Sequence, residues 1–247
     1  MPFKIELRKI SFARGQNTIL DGVDLTVEPG HVVVFGGRSG SGKSALLEIC
    51  AGHLKPAGGS VLWDGENVSA MSRYELYDWR KSIGYVFQVH ALIANHSVFD
   101  NIALPLKCGT DLSGEQRKNK VLALMDELEI GHDIMTRFPE TLPAAQLKSV
   151  AIARALINEP EVLLLDEPFS GVDPLTVNRL ISVLHGKWKK GGMSIVMASH
   201  SLSAWPEWSA GRFVLKDGRL EPAGNAFATV KDLGGNQRYN QRYSYAK

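Results

Sequence analysis

The run Val32-Val33-Val34-Phe35-Gly36-Gly37-Arg38-Ser39-Gly40-Ser41-Gly42-Lys43-Ser44-Ala45-Leu46-Leu47 decides the fold. Val32 to Phe35 is an uninterrupted apolar stretch that reads as a buried strand, and Ser44 to Cys50 reads as a helix. Between them, Gly37 to Ser44 fits the pattern G-x-x-x-x-G-K-[ST] in the context that pattern requires, with a strand before it and a helix after. Glycines let the backbone wrap closely around a phosphate, so that successive N–H groups and the positive end of the following helix face the anion. The expected nucleotide-binding positions are Gly37, Ser39, Gly40, Ser41, Gly42, Lys43, Ser44 and Ala45. Lys43 is expected to bridge the β- and γ-phosphates and the Ser44 hydroxyl to hold Mg²⁺.

A second apolar run, Glu161-Val162-Leu163-Leu164-Leu165-Asp166-Glu167-Pro168, ends in two adjacent carboxylates. Burying such charges at a strand end is costly unless a cation is nearby. A metal ion and an attacking water supply the reason. Asp166 is expected to partner Mg²⁺, directly or from behind its ligands, and Glu167 to orient or polarise the water.

Outward from these two runs the chain alternates strand and helix. Ile5, Leu7 and Ile10 to Phe12, then Val23, Leu25 and Val27, read as strands ahead of a Pro29-Gly30 turn; Ser60 to Trp63 and Ile83 to Phe87 follow. Between about Val98 and Leu156 the pattern is helical, as in Glu115 to Ile130, where Val121, Leu122, Leu124, Met125, Leu128 and Ile130 recur near the helical period. Strands at Glu161 to Leu165, Ser194 to Ala198 and Phe213 to Leu215, with a helix over Leu175 to Lys187, complete the series. Such alternation predicts parallel strands with crossover helices. The expected fold is α/β: a phosphate-loop core with a mostly parallel sheet, an N-terminal antiparallel β subdomain, and a helical subdomain inserted at about 89–160, all within a domain spanning 1–233. A polar tail, 234–247, carries the near-repeats Gln237-Arg238-Tyr239 and Gln241-Arg242-Tyr243 and is expected to be mobile or to order only against a partner.

At 247 residues and 44% hydrophobic content the chain can bury a sizeable core. The formal charge of +2, from 28 basic and 26 acidic residues, leaves no footprint for nucleic acid, and no nucleic-acid partner is expected. Cys50 and Cys108 lack any metal-ligand spacing and read as free thiols in apolar surroundings. The N-terminus has no apolar core of a signal peptide, and the densest apolar runs fall far short of the roughly 20 residues a membrane span needs. Work at a membrane would require another subunit to cross it.

In this order, across residues 3 to 223, the motifs resemble the ABC (ATP-binding cassette) ATPase family. The resemblance implies ATP and Mg²⁺ as cofactors and assigns further roles. Gln88, in Tyr85-Val86-Phe87-Gln88, stands where the family's glutamine touches metal and nucleotide and couples to the membrane subunit. Asp173, in Ser170-Gly171-Val172-Asp173, matches the aspartate at the dimer interface; His200 matches the histidine that meets the γ-phosphate; Phe12 takes the place of the aromatic that stacks on adenine. The implied catalytic set is Glu167, His200 and Gln88, and the implied metal set Ser44, Gln88 and Asp166.

One segment departs from the family. Its LSGGQ is replaced by Leu142-Pro143-Ala144-Ala145-Gln146, ahead of the matching Ala151-Ile152-Ala153-Arg154-Ala155-Leu156. In the resembled dimer this segment of one subunit closes over the ATP of the other with a serine hydroxyl and backbone N–H groups. Pro143 has neither hydroxyl nor N–H, and Ala144 and Ala145 add methyl groups where glycines allowed close approach. Proline and alanine still suit the first turn of a helix. A second ATPase subunit is therefore expected, and three arrangements stay open: a slower homodimer, half of an asymmetric heterodimer, or an ATP-gated scaffold. Residues 64–73, 98–106 and 166–174 look most like the ATPase of Mla-type phospholipid transporters, which work with MCE proteins. That resemblance implies a subunit on the cytoplasmic face of the inner membrane, docked on an integral-membrane permease whose coupling helix fits near Gln88.

Overall fold

The strand runs are apolar at every position because the sheet they build is covered on both faces. The computed structural model describes residues 1–200 and 206–223; the tail repeats after Gly234 lie outside the described residues. Strands β1 (Ile5–Arg14), β2 (Asn17–Val27), β4 (Gly58–Trp63) and β5 (Glu66–Asn67) form one antiparallel sheet in the order β2-β1-β4-β5. The other sheet joins β3 (Val32–Gly36), β6 (Ile83–Val86), β7 (Val162–Asp166), β8 (Ser194–Ala198), β9 (Gly211–Lys216) and β10 (Arg219–Pro222) in the order β10-β9-β3-β8-β7-β6. All its pairings are parallel except that of β9 with β10. The expected fold class is what the structure shows.

Side chains alternate across a strand, so neighbours in one apolar run serve two cores. Val33, Phe35, Leu164, Val196 and Ala198 pack with α1 (Lys43–Cys50) and the antiparallel sheet. Val32, Val34, Leu163, Leu165, Ile195 and Met197 face the opposite core, shared with α3 (Val98–Gly109), α4 (Gly114–Glu127), α5 (Ala144–Leu156) and α6 (Pro174–Gly191). Helices α3, α4 and α5 fall between β6 and β7 in the chain, with α3 packed on both of the others. No described helix is long and apolar enough to cross a membrane.

Three local features differ from the sequence expectations. Helix α2 (Arg73–Lys81), absent from the sequence expectations, buries no residue fully and meets the core through half-buried Leu76 and Trp79, a short apolar signal among charged neighbours. Its signal was the capping box at Ser72, whose Oγ accepts from Glu75 N at 3.3 Å while Ser72 N donates to Glu75 Oε2 at 2.7 Å. The helix read over Glu115 to Ile130 ends at Glu127, because Glu129 turns into the left-handed region with φ 51°. Cys108 is exposed, contrary to the apolar setting expected of it; Cys50 is buried, and burial pushes its thiol up to about 12.

An aromatic cluster ties α2 to the antiparallel sheet. Trp79 meets Phe3 edge-on at 4.8 Å, and Trp63, fully buried, lies 5.8 Å from Trp79 while its Nε1 donates to Cys50 O at 3.0 Å. Trp63→Ala opens a cavity in this core and should lower stability by about 3–5 kcal/mol, read from the midpoint of urea unfolding.

Candidate functional site

The loop between β3 and α1 is clamped from two sides. At Gly37 (φ 152°) a Cβ would stand 2.6 Å from Leu215 O, and at Gly42 (φ 101°) 2.7 Å from Ile19 Cγ2, so only glycine lets β9 and β2 approach this closely. Gly42 is the N-cap of α1 and offers no side chain to the first turn, which leaves that turn's N–H groups to an anion. Lys43 is buried; its Nζ donates to Gly37 O at 2.9 Å and Arg38 O at 3.1 Å, arching back over the loop. Ser39 and Gly40 are exposed, Ser44 and Ala45 half-buried in the first turn, and Ser41 Oγ is buried without a hydrogen-bond partner.

The carboxylates of the second apolar run lie beside this loop. Asp166, the last residue of β7, is buried, and its Oδ1 has no hydrogen-bond partner. Burial raises its pKa, with Glu167 adding to the effect, while the Ser44 hydroxyl, Lys43 and Lys148 pull the other way. Glu167 is also buried and holds a left-handed backbone (φ 45°), its N–H donating to Ala198 O at 2.9 Å. Its Oε1 accepts from His200 N at 2.9 Å and lies 3.7 Å from Lys43 Nζ; its Oε2 is 2.8 Å from His200 Nδ1. Lys43, Glu167 and His200 thus meet in one cluster, although they come from three separate stretches of chain.

Ser44, Gln88 and Asp166 line a single cavity of about 220 Å³, together with Glu48, Phe87 and Val89. The donors are a hydroxyl, an amide oxygen and a carboxylate, the hard oxygen set that suits Mg²⁺ when phosphate and water complete its shell. The unpartnered Asp166 Oδ1 is the kind of buried atom a cation satisfies. These residues fit the metal. Among the described residues no cluster of three or more His, Cys, Asp or Glu side chains offers another centre.

The remaining expected residues fall in three places. Phe12 is half-buried on β1 opposite Leu20, and Leu20 and Ile19 are the residues that press on Gly42, so the ring lies one strand from the phosphate loop. Asp173 is the N-cap of α6: its Oδ1 accepts from Leu175 N at 3.1 Å and Thr176 N at 3.0 Å, and the Thr176 bonds lead in lowering its pKa. Pro143 is exposed and stands at the N-cap of α5, one position before the first turn expected for it; it makes no side-chain cap, and its carbonyl accepts from Leu147 N at 3.0 Å.

Sequence reasoning missed the cations of α5. Lys148 is buried in that helix, and Arg154 reaches the loop after β6 with bonds to Ala91 O at 2.8 Å and His90 O at 3.3 Å. The available signal was a lysine inside an otherwise apolar helix. Arg154 also lines a groove of about 350 Å³ beside edge strand β6, with Tyr77, Arg80, Phe87, Leu104 and Cys108.

The profile of the ABC transporter family matches residues 20–170. The chain is 33% identical over 224 residues to the intermembrane phospholipid transport system ATP-binding protein MlaF of Escherichia coli K12, covering 91% of this chain and 83% of that protein. It is 32% identical to the methionine import ATP-binding protein MetN of Clostridioides difficile, over 90% of this chain and 68% of that one. Among solved structures it resembles the dimeric bacterial ABC transporter cassette MJ0796, with a TM-score of 0.83 and 30% identity over 88% of this chain and 96% of that chain. The same cassette in a post-hydrolysis state bound to ADP and Pi superposes with a TM-score of 0.82 over the same share of each chain.

The Asp166 pKa gives a test of the site's cost. A carboxyl whose folded pKa is raised favours the folded state most below its unfolded pKa and loses that advantage as pH rises through the folded value. Asp166→Asn should therefore raise the melting temperature of the nucleotide-free chain at pH 7 in EDTA, and the gain should shrink as pH falls towards the ordinary carboxylate range. A melting temperature lowered at every pH contradicts this.

Proposed function

The chain belongs to the ABC transporter family as an ATP-binding subunit, and from that premise we propose that it binds and hydrolyses Mg-ATP at the interface of two such subunits to drive a separate integral-membrane permease. The observation that carries this reading is the cluster in which buried Lys43 lies 3.7 Å from buried Glu167 and Glu167 2.8 Å from exposed His200. A binding-only scaffold has no use for a buried carboxylate held beside the phosphate loop, which weighs against the scaffold alternative.

Lys43 donates to two loop carbonyls, and the β- and γ-phosphates would compete for those donors. His200 holds Glu167 through both carboxylate oxygens, whose remaining lone pairs would accept from the attacking water. His200, exposed at the strand end, supplies a polar group for the γ-phosphate. Mg²⁺, when bound, neutralises charge on the phosphates; Ser44 and Asp166 would hold it, with Gln88 at the same cavity. Phe12 offers an aromatic face to the base.

The groove beside β6 suits a short helix of the permease. Its lining is largely apolar with two arginines, and it adjoins the loop that carries Gln88 and the exposed Val89. The subunit then sits peripherally, on the cytoplasmic face of the inner membrane. We read the cargo as phospholipid, on the likeness of residues 64–73, 98–106 and 166–174 to Mla-type ATPases. Purification with detergent-extracted partners should bring down a many-spanning permease together with an MCE-type protein; a methionine-import permease in its place overturns the lipid reading.

Lys43→Ala should weaken nucleotide binding, whereas Glu167→Gln should keep binding and stop turnover, measured by nucleotide titration and phosphate release in the full complex. Wild-type turnover by the glutamine variant removes the base assignment.

The segment at Pro143 makes a further difference. Losing one preorganised donor to developing phosphate charge costs on the order of a hundredfold or more, so a homodimer in which both sites meet Pro143 should turn over slowly. Restoring serine and glycines with Pro143→Ser, Ala144→Gly and Ala145→Gly should give a large rate gain in a homodimer and little gain where a partner chain with an intact segment closes this chain's site. A brisk native homodimer that runs no faster after restoration shows the segment to be chemically competent.

A further inference from the structure

Helix α5 buries a lysine at a place where an apolar residue would cost nothing to desolvate. Lys148 begins a run of buried residues on its helix, followed by Ser149, Val150, Ala151 and Ile152, and a buried ammonium persists only where its donors are satisfied. Its Nζ donates to Gln88 O at 2.7 Å and to Glu167 O at 3.1 Å. Those carbonyls belong to two different loops: the one after β6 that faces the cavity and the groove, and the one after β7 that carries the candidate base.

Both loops hold a left-handed residue that is not glycine, Ala91 with φ 47° and Glu167 with φ 45°. Such conformations last only where surrounding contacts over-determine them. In each case α5 provides such a contact: Arg154 donates to Ala91 O at 2.8 Å, and Lys148 donates to Glu167 O, while Ala198 O takes the Glu167 N–H at 2.9 Å. The Glu167 backbone is thereby held at both its N–H and its carbonyl, and its carboxylate meets Lys43 and His200.

We propose that Lys148 is a positioning residue for ATP hydrolysis: one buried ammonium fixes the Gln88 and Glu167 peptides to α5, so that the candidate base, the groove-side loop and the helix bearing the altered segment shift as one unit. The inference rests on the ATPase reading for its kinetic consequence and on geometry alone for the coupling of the two loops. Lys148 touches no substrate atom; it acts through the peptides it holds.

The test uses the full transporter complex for kinetics and the full chain for amide exchange. Lys148→Met keeps the length of the stem and removes the donors, and should lower kcat on the order of tenfold or more while changing ATP affinity by less than about twofold. Lys148→Arg keeps charge and donors and should recover most of kcat. In Lys148→Met, amides at 88–91 and at 167, 169 and 170 should exchange faster together, with those of β3 and α1 unchanged. If Lys148→Met does not fold, Lys148→Leu, which also lacks donors, carries the same measurements. Unaltered kcat in a folded donor-lacking variant, or faster exchange confined to one loop, overturns the proposal. A wild-type complex that hydrolyses no ATP sinks the ATPase reading instead, and the exchange result still decides whether the two loops are joined.

Discussion

Two carboxylates stand at the end of a strand that has no solvent on either face, and the rest of the site answers what that placement costs. Asp166 and Glu167 are both buried, and removing an ionised carboxylate from water costs several kcal/mol even after relaxation. Each is met differently. Glu167 receives a backbone N–H and a ring nitrogen from His200 and a cation at 3.7 Å from Lys43. Asp166 keeps one oxygen without a partner and a raised pKa. The satisfied carboxylate is the one suited to hold a water in a fixed orientation, and the unsatisfied one is the one with most to gain from a metal ion.

That division depends on the sheet. Because β3, β7 and β8 are covered by α1 and the antiparallel sheet on one side and by α3 to α6 on the other, their ends open in one place. The phosphate loop after β3, the carboxylates after β7 and His200 after β8 are brought together by strand order alone, with β8 between β3 and β7. Ligand sites outside the carboxyl ends of parallel strands follow from this geometry. The antiparallel sheet contributes by contact: Ile19 and Leu20 press on Gly42, which explains why that position has no side chain.

The parts of this site carried by local pattern were legible in the sequence. Gly37 to Ser44 and Val162 to Glu167 announce themselves because glycine, lysine and paired carboxylates are unusual next to buried strands. The positions of Gln88, Asp173, His200 and Phe12 were legible only through resemblance to a family, since a lone histidine or phenylalanine has no local signal. The structure gives Asp173 a capping task that its place before Pro174 already suited. Helix α2 was hidden because half-buried Leu76 and Trp79 are too few to mark a period, and its capping box was the clearer cue. Lys148 and Arg154 were hidden for the opposite reason. Their partners are backbone carbonyls 19 to 64 residues away in the chain, and no side-chain pattern records which carbonyl a turn presents.

The altered segment on α5 is confined by the same physics. Pro143 and Ala144 are exposed at the start of the helix, and the Pro143 carbonyl still accepts the first intrahelical bond. Lys148 begins the buried part of the helix one turn later, where the contacts to Gln88 and Glu167 are made. A proline at an N-cap removes a donor from the surface without disturbing i→i−4 bonds further along. In the proposed dimer the departure from the family pattern would change what this chain offers to a neighbour's nucleotide, while the contacts that Lys148 makes to Gln88 and Glu167 lie beyond it on the helix. That separation is a physical ground for expecting the two composite sites of an asymmetric pair to differ in chemistry while each chain keeps its own phosphate loop and base in working geometry.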